Sequence, residues 1–551
     1  MAYLYFKRNE PDSILALFFL LVLVPALLSA AVSQVAGPVW VVSVLTSLTY
    51  LFLLLFFTAM YRVSPFHPLA RYPGPFPAKI TKWWSSYIIT KGKQHLYYQA
   101  LHERYGDVVR VGPNELSFRD ASFITDILGP DGLPKGPCWD NRTSAPSLIA
   151  QRDPVAHAQQ RRPWNRAFSS AAMKDYEVII AQRARQLVHR WEDIILAQPG
   201  NVREATLDVG AWMGYFSTDF MGDMAFGGGF ELMRDGGDTS GVWHVIETGM
   251  QATTIFAHAP WAAAFLKRMP GQGAAIQSMR EFCWNNVQKR MALGAARKDL
   301  YYHLSDEDDQ TQTPPTLASL AANGVLAIVA GSDTTAMVLT SFLYHVLRHP
   351  TVYKRFREEV DATFPDGQEP LDVTKLSGMP WLNSCLNEVM RLQPPVPSGS
   401  QRRVPRGAGP KVLGRYVVPE ETQLFVHTYS IQRDARNFSN PDAFLPERWM
   451  PVVNNDTPSA GLPASTSPMP SSPKHTSVHN PAAFIPFSYG PRNCVGKNLA
   501  LTEARMLIAY VVSRFDFHPV GEEGSWEDTL SDYFTFQKGA LPMRVTLREA
   551  D

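Results

Sequence analysis

Between Asp12 and Arg62 the chain carries no charged residue. Two apolar runs fill most of that interval, SILALFFLLVLVPALLSAA (Ser13–Ala31) and VWVVSVLTSLTYLFLLLFFTAM (Val39–Met60). A helix needs about 20 apolar residues to cross a bilayer core. Each run is long enough to span. Pro25 lies inside the first, where it can kink a helix, and lipid-embedded helices tolerate such breaks. The connection SQVAGP, Ser33–Pro38, is short, so the two runs are expected to form a helical hairpin.

Charges flanking the hairpin set its orientation. Lys7 and Arg8 precede it, Arg62, Arg71, Lys79 and Lys82 follow it, and the connection has none. The bias of Lys and Arg toward the cytoplasmic side then places both the amino terminus and everything after Arg62 in the cytoplasm. A cleaved signal peptide is one alternative, but its apolar core is about 7–15 residues, shorter than this first run. A shallow hairpin that does not span is the other. Cytoplasmic placement leaves the acceptor sequences at Asn141, Asn437 and Asn455 unglycosylated.

Beyond the anchor the prolines of HPLARYPGPFP, His67–Pro77, favour extended backbone and a stiff hinge, with a linker to residue 94. LYYQALHERYG reads as a helix, and DVVRVGPNELSF as a hairpin turning at Gly112-Pro113-Asn114. Helical periodicity dominates residues 155–300 and 316–393, so the region 95–551 is expected to be mainly α with a minor β part. The stretch 454–481 is rich in Ser, Pro and Thr, and reads as a surface insertion. A net charge of +1 points to no nucleic-acid partner. The four cysteines, Cys138, Cys283, Cys385 and Cys494, are too widely separated for a zinc site or a disulfide framework.

Cys494 stands in FSYGPRNCVG. Gly490 permits a turn at positive φ, Gly496 leaves room for a flat cofactor, and Arg492 can meet a carboxylate. A helix read from Val495 to Arg505 would aim its first N–H groups at the sulfur and favour a thiolate. A ligating or reactive sulfur and a buried structural thiol both remain open on these residues alone.

The spacing Phe487-x-x-Gly490-x-Arg492-x-Cys494-x-Gly496 resembles the haem-binding signature of the cytochrome P450 superfamily, the haem-thiolate monooxygenases. Other signatures follow the same family order. EVMR, Glu388–Arg391, and PDAFLPERW, Pro441–Trp449, resemble the segments from which Glu388, Arg391 and Arg448 build a buried structural network. AGSDTT, Ala330–Thr335, lies in an apolar run and resembles the oxygen-activating helix, broken at Gly331, with Thr334 as alcohol and Asp333 as acid. HAQQRRPWNRAF resembles the segment in which His157 and Arg161 meet the haem propionates. Arg402 or Arg403 would supply a further propionate contact, and their adjacency leaves the choice open.

The resemblance implies haem b with Cys494 as axial iron ligand, whose thiolate donates electron density to the iron. It implies O2 as co-substrate and NADPH as electron source through NADPH–cytochrome P450 reductase, with cytochrome b5 as a second candidate donor. Lys497 is the preferred exposed contact for the reductase, with Arg492 in the same region. The microsomal kind of anchor implies the endoplasmic reticulum membrane, with the catalytic domain on its cytoplasmic face. Cys138–Gln151, Asn323–Ala327, Val396–Ser400 and Phe534–Phe536 would line the site. Their apolar character suits a lipophilic substrate arriving through membrane lipid. The nearest flavour is that of fungal secondary-metabolism members, many of which oxidise terpenoids. A reductase-independent isomerase or dehydratase is disfavoured by the intact Asp333-Thr334 pair. A non-catalytic haem- or sterol-binding protein is the remaining alternative.

Overall fold

The computed structural model describes all residues except 1, 9–12, 140–144, 202, 260–273, 295–297, 308–313, 366, 452–477, 522–524 and 549–551. Most of the predicted insertion at 454–481 therefore lies outside the described residues. Its last part returns to the fold, where Ser439 N–H donates to Val478 O (2.9 Å).

Two helical spans lead the chain, Ile14–Gln34 and Val39–Val63. Their apolar side chains face outward, Leu15 being 80% and Trp40 74% exposed, a surface suited to lipid rather than water. Pro25 shapes the first span. A π-helical turn, Phe19–Leu23, precedes it, and in that register the carbonyl of Leu20 would need the N–H that Pro25 lacks. Tyr50 of the second span donates its hydroxyl to Leu20 O instead (2.8 Å).

The proline-rich segment is not extended throughout. After a series of turns it forms short helices at Phe76–Ile80 and Trp83–Thr90. It is held by docking: Arg110 N–H donates to Pro73 O (2.7 Å), and Arg110 Nη2 reaches Arg62 O (3.0 Å). A side chain at Gly74 would meet Arg110 O at 2.1 Å, so only glycine lets the two backbones cross.

A long helix, Leu317–Leu347, runs through the middle of the soluble domain. Thr316 caps it, accepting from Ser319 N–H (3.2 Å). Its length and hydropathy would allow it to cross a membrane, but 67% of its most apolar window is buried inside the protein, so it is a core helix. It packs most extensively against helix Val209–Phe226, and Phe216, Phe220, Leu339 and Phe342 are sealed there. Helices Ser170–Leu196, Pro380–Leu392 and Lys497–Arg514 complete this core.

The β part is small. A four-stranded sheet runs in the order Val108–Gly112, Glu115–Phe118, Gln423–Val426, Arg402–Arg403, with the two middle strands parallel. A three-stranded sheet joins Glu204–Asp208, Pro542–Leu547 and Phe515–Pro519. The predicted hairpin at 107–118 forms with Gly112 opposite Glu115.

Candidate active site

A cavity of ≈ 380 Å³ lies between the long helix and the loop that carries Cys494. The loop is shaped by its own backbone. Cys494 N–H donates to Phe487 O (2.9 Å) and Asn493 N–H to Gly490 O (3.0 Å). Gly490 has φ +73°, and a side chain there would meet Leu128 O at 2.2 Å. At Gly496 an added Cβ would meet nothing closer than Phe168 at 3.7 Å, so its face of the cavity is open. The helix after the cysteine runs from Lys497 to Arg514, two residues later in its start than the sequence suggested.

Cys494 is exposed to this cavity, whereas the other three cysteines are buried. Burial pushes its thiol up from the ordinary value, while a hydrogen bond from the Gly496 backbone and the charges of Arg161 and Lys497 pull it down. Bound to a metal, the sulfur would be a thiolate outright. Among the described residues no group of three or more potential metal ligands gathers.

Several cations surround one end of the cavity. Arg402 is 1% exposed, and among the described residues its Nε and Nη1 have no partner, nor does Arg492 Nε. Adjacent Arg403 instead pairs with Glu421, so Arg402 is the one of the two that enters the cavity. His157 also lines it, and burial together with Lys135, Arg492, Arg161 and Arg402 pushes its imidazole down to about 3. Arg161 lines the cavity too, but its guanidinium clamps Asn493. Buried cations without counter-ions are costly. A haem, with two carboxylates on one edge and a flat face, fits this donor set and this opening.

Across the cavity stands the long helix, and here one expectation is corrected. The helix is continuous through Gly331 rather than broken. At Gly331 an added Cβ would meet Met221 Sδ at 2.4 Å, on the neighbouring helix, so a larger residue would have to push that flexible side chain aside. Thr334 lines the cavity and donates its hydroxyl to Ala330 O (2.6 Å). Asp333 does not line it. Its Oδ2 accepts from Thr535 Oγ1 (3.4 Å), and Thr535 does face the cavity.

Glu388 and Arg391 are both fully buried and form a double hydrogen bond, 2.8 Å in each arm. Arg448 Nε (3.1 Å), Trp449 Nε1 (2.8 Å) and Leu445 N–H (2.9 Å) also donate to Glu388. Gln432 extends the network, donating to Met390 and Arg391 carbonyls and accepting from Ile485 N–H near the start of the cysteine segment.

Of the predicted lining, Cys138, Leu148, Val325, Val396, Ser400 and Phe534 border the cavity. Asn323 and Phe536 do not. Asn323 instead accepts from Leu148 N–H (3.1 Å) and fixes that segment to the long helix. The sequence reading missed two residues. Lys135 is buried with its ammonium on Leu148 O (2.7 Å). Glu503 is 1% exposed at the cavity margin, and burial pushes its carboxyl well up, with the neighbouring Ser217 and Thr335 hydroxyls opposing the rise. An acid in the buried stripe Leu499, Thr502, Glu503, Met506 was the available signal. Lys497 is exposed, with its ammonium 5.8 Å from the centre of the Phe487 ring.

The family profile described as "Cytochrome P450" matches residues 73–539. The chain belongs to the cytochrome P450 family. Its relatives include cytochrome P450 67 of Uromyces fabae, 32% identical over 96% of this chain and 94% of that protein. Tryprostatin B 6-hydroxylase of Aspergillus fumigatus is 31% identical, covering 91% of this chain and 84% of the relative. The haem domain of cytochrome P450DA shares the fold at 20% identity, with a TM-score of 0.65 over 83% of this chain and 92% of that one. The chain is a cytochrome P450 monooxygenase, and the family implies a haem-thiolate cofactor.

Proposed function

We propose that this P450 is a membrane-anchored hydroxylase of a lipophilic secondary metabolite. One oxygen atom of O2 would enter the substrate, with electrons from NADPH arriving through a reductase. The observation that carries the reading is the placement of Cys494 and Thr334 on one largely apolar cavity. Tryprostatin B 6-hydroxylase, by its name, hydroxylates a small molecule, which supports hydroxylation here.

Cys494 would hold the haem iron, with Arg402, Arg492 and His157 at its polar edge. When bound, the haem supplies oxygen activation. The chain's residues would do the rest. Gly496 would leave room for the haem's flat face beside Phe487; Met221, Val329 and Val396 would exclude water and hold an apolar substrate, and Thr334 would present its hydroxyl to the same cavity as Cys494. Asp333 holds a proton, and the Thr535 hydroxyl connects it to the cavity. Glu388, Arg391 and Arg448 would keep the cysteine segment in place. The two spans would hold the domain at the endoplasmic reticulum, facing the cytoplasm, with Lys497 on the reductase side.

The test is electron dependence. Reconstituted with reductase and a panel of apolar metabolites, the enzyme is expected to consume NADPH and to incorporate label from ¹⁸O2. Turnover of a hydroperoxide without reductase, and no label from O2, would instead support isomerase chemistry.

A further inference from the structure

Glu115 opens the second strand of the four-stranded sheet, and its side chain is fully buried. Burial opposes ionisation, but Lys82 and His258 hold the carboxyl down to about 2, so it is charged at neutral pH. A buried charge persists only where partners gather around it. Here the partners come from separate parts of the chain.

Lys82, at the start of helix Trp83–Thr90, places its ammonium 3.3 Å from Glu115 Oε1 and also donates to Gln423. Gln401 donates to the same Glu115 oxygen (2.7 Å), and its own Oε1 accepts from Cys138 N–H (3.0 Å). Gly136 N–H donates to Gln401 O (2.9 Å). Residues 136–138 thus hang on one glutamine, and Cys138 borders the cavity.

His258 belongs to a different element, just beyond helix Val242–Ile255. It is buried, with Nδ1 3.7 Å from Glu115 Oε1, an ion-pair distance. The Gln94 amide sits 3.3 Å from Nε2, and donation there leaves the ring proton on Nδ1, facing the carboxylate. The helix before it supplies Met250 and Thr253 to the cavity, and Phe256 follows them. That helix is also tied to the chain near its end, Thr254 Oγ1 donating to Tyr533 O (3.0 Å) and Gln251 to Gln537 (2.7 Å). Glu115 Oε2 and His258 Nδ1 are buried without a hydrogen-bond partner among the described residues. Charge therefore holds this corner, and Coulomb attraction falls slowly with distance. Such a tie can lengthen and re-form.

We propose that Glu115 is a positioning residue that sets how large a molecule the cavity admits. Its carboxylate ties the segment at His258 and the wall at 136–138 to one sheet, and a bulky ligand enters only when that tie lengthens. A small ligand passes without it. This rests on the haem-thiolate reading above, because haem iron reports the ligands that test it.

The experiment uses the full-length, haem-loaded enzyme and two azoles that ligate haem iron, small imidazole and bulky clotrimazole. Stopped-flow absorbance at the Soret band gives association and dissociation rates for each. Glu115→Gln keeps the volume and removes the charge. Both clotrimazole rates are expected to rise about tenfold, the factor carried by an interaction with a buried charge, while imidazole rates stay within about twofold. His258→Phe, which keeps a ring but no ring nitrogen, is expected to give about threefold with the same selectivity. The double variant should match Glu115→Gln alone, because the same tie is removed twice. Clotrimazole rates unchanged in both single variants would overturn the proposal. So would an equal rise for the two azoles, which marks general loosening rather than control of size. A double variant whose effect is the product of the single effects would overturn the pairing of His258 with Glu115. A wild-type Soret band that responds to neither azole would instead contradict the haem reading itself.

Discussion

Burial holds the Asp333 carboxyl up to about 7; Lys538 opposes the rise, Glu247 adds to it, and the Thr535 hydrogen bond opposes it. The folded protein therefore keeps a proton on Asp333 that the unfolded chain, with an ordinary value near 3.9, has already lost. Stability from this group is present at low pH and declines as pH rises through the window from about 4 to about 7. The same value makes Asp333 a competent proton donor below neutrality. Product formation limited by proton delivery is expected to fall as pH rises past about 7, and Asp333→Asn to flatten that limb while slowing turnover about tenfold or more. A pH profile of product per NADPH consumed checks this; an identical inflection in Asp333→Asn would assign it to another group. The adjacency of Asp333 and Thr334 was legible in the sequence, because the two are contiguous. Their geometry was not, because the route from Asp333 to the cavity runs through Thr535, about two hundred residues later.

At the scale of elements, the Glu388–Arg391 pair joins helix Pro380–Leu392 to the segment Pro441–Trp449 and, through Gln432, to Ile485. Burial disfavours the Glu388 carboxylate, but Arg391 and Arg448 hold it below its usual value. Its stabilisation is present above the unfolded value and is lost as pH falls through the folded one. Glu388→Ala leaves Arg391 buried without its counter-charge, and is expected to cost about 3–5 kcal/mol. Urea unfolding measures the loss, with poor haem incorporation accompanying it. In the anchor, Tyr50→Phe removes the donor that serves Leu20 O and is expected to weaken the hairpin by about 1 kcal/mol. Faster amide exchange near Pro25 in bicelles would report it, while unchanged exchange would show that the π-helical turn satisfies itself. The spans and the long helix could be read from periodicity and hydropathy. The role of Gly331 could not, since it depends on Met221 of another helix. The hinge was read as stiff from its prolines, whereas its docking to Arg110, which depends on a partner distant in sequence, could not be read.

For the whole molecule, the proposed membrane hairpin would place both of its ends on one side of the bilayer. An enlarged connection carrying a glycosylation acceptor between Ser33 and Pro38 is expected to be modified in microsomes, with Asn437 left unmodified. The reverse pattern would invert the topology. The soluble domain hangs from this hairpin through a segment fixed to the four-stranded sheet, so the anchor and the cavity belong to one framework. The family and the cysteine loop were legible because the cysteine signature is local and other motifs keep its order. Lys135 and Glu503 were not, because neither lies in a motif and each gains meaning only from neighbours that folding brings to it.

On the proposed function, Cys494 would be the iron ligand of a haem-thiolate enzyme. Reduction of the full-length, haem-loaded protein with dithionite, followed by carbon monoxide, tests it most directly. A strongly red-shifted Soret band, lost in Cys494→Ala, is expected. A histidine-type band from intact, haem-loaded wild type would contradict it.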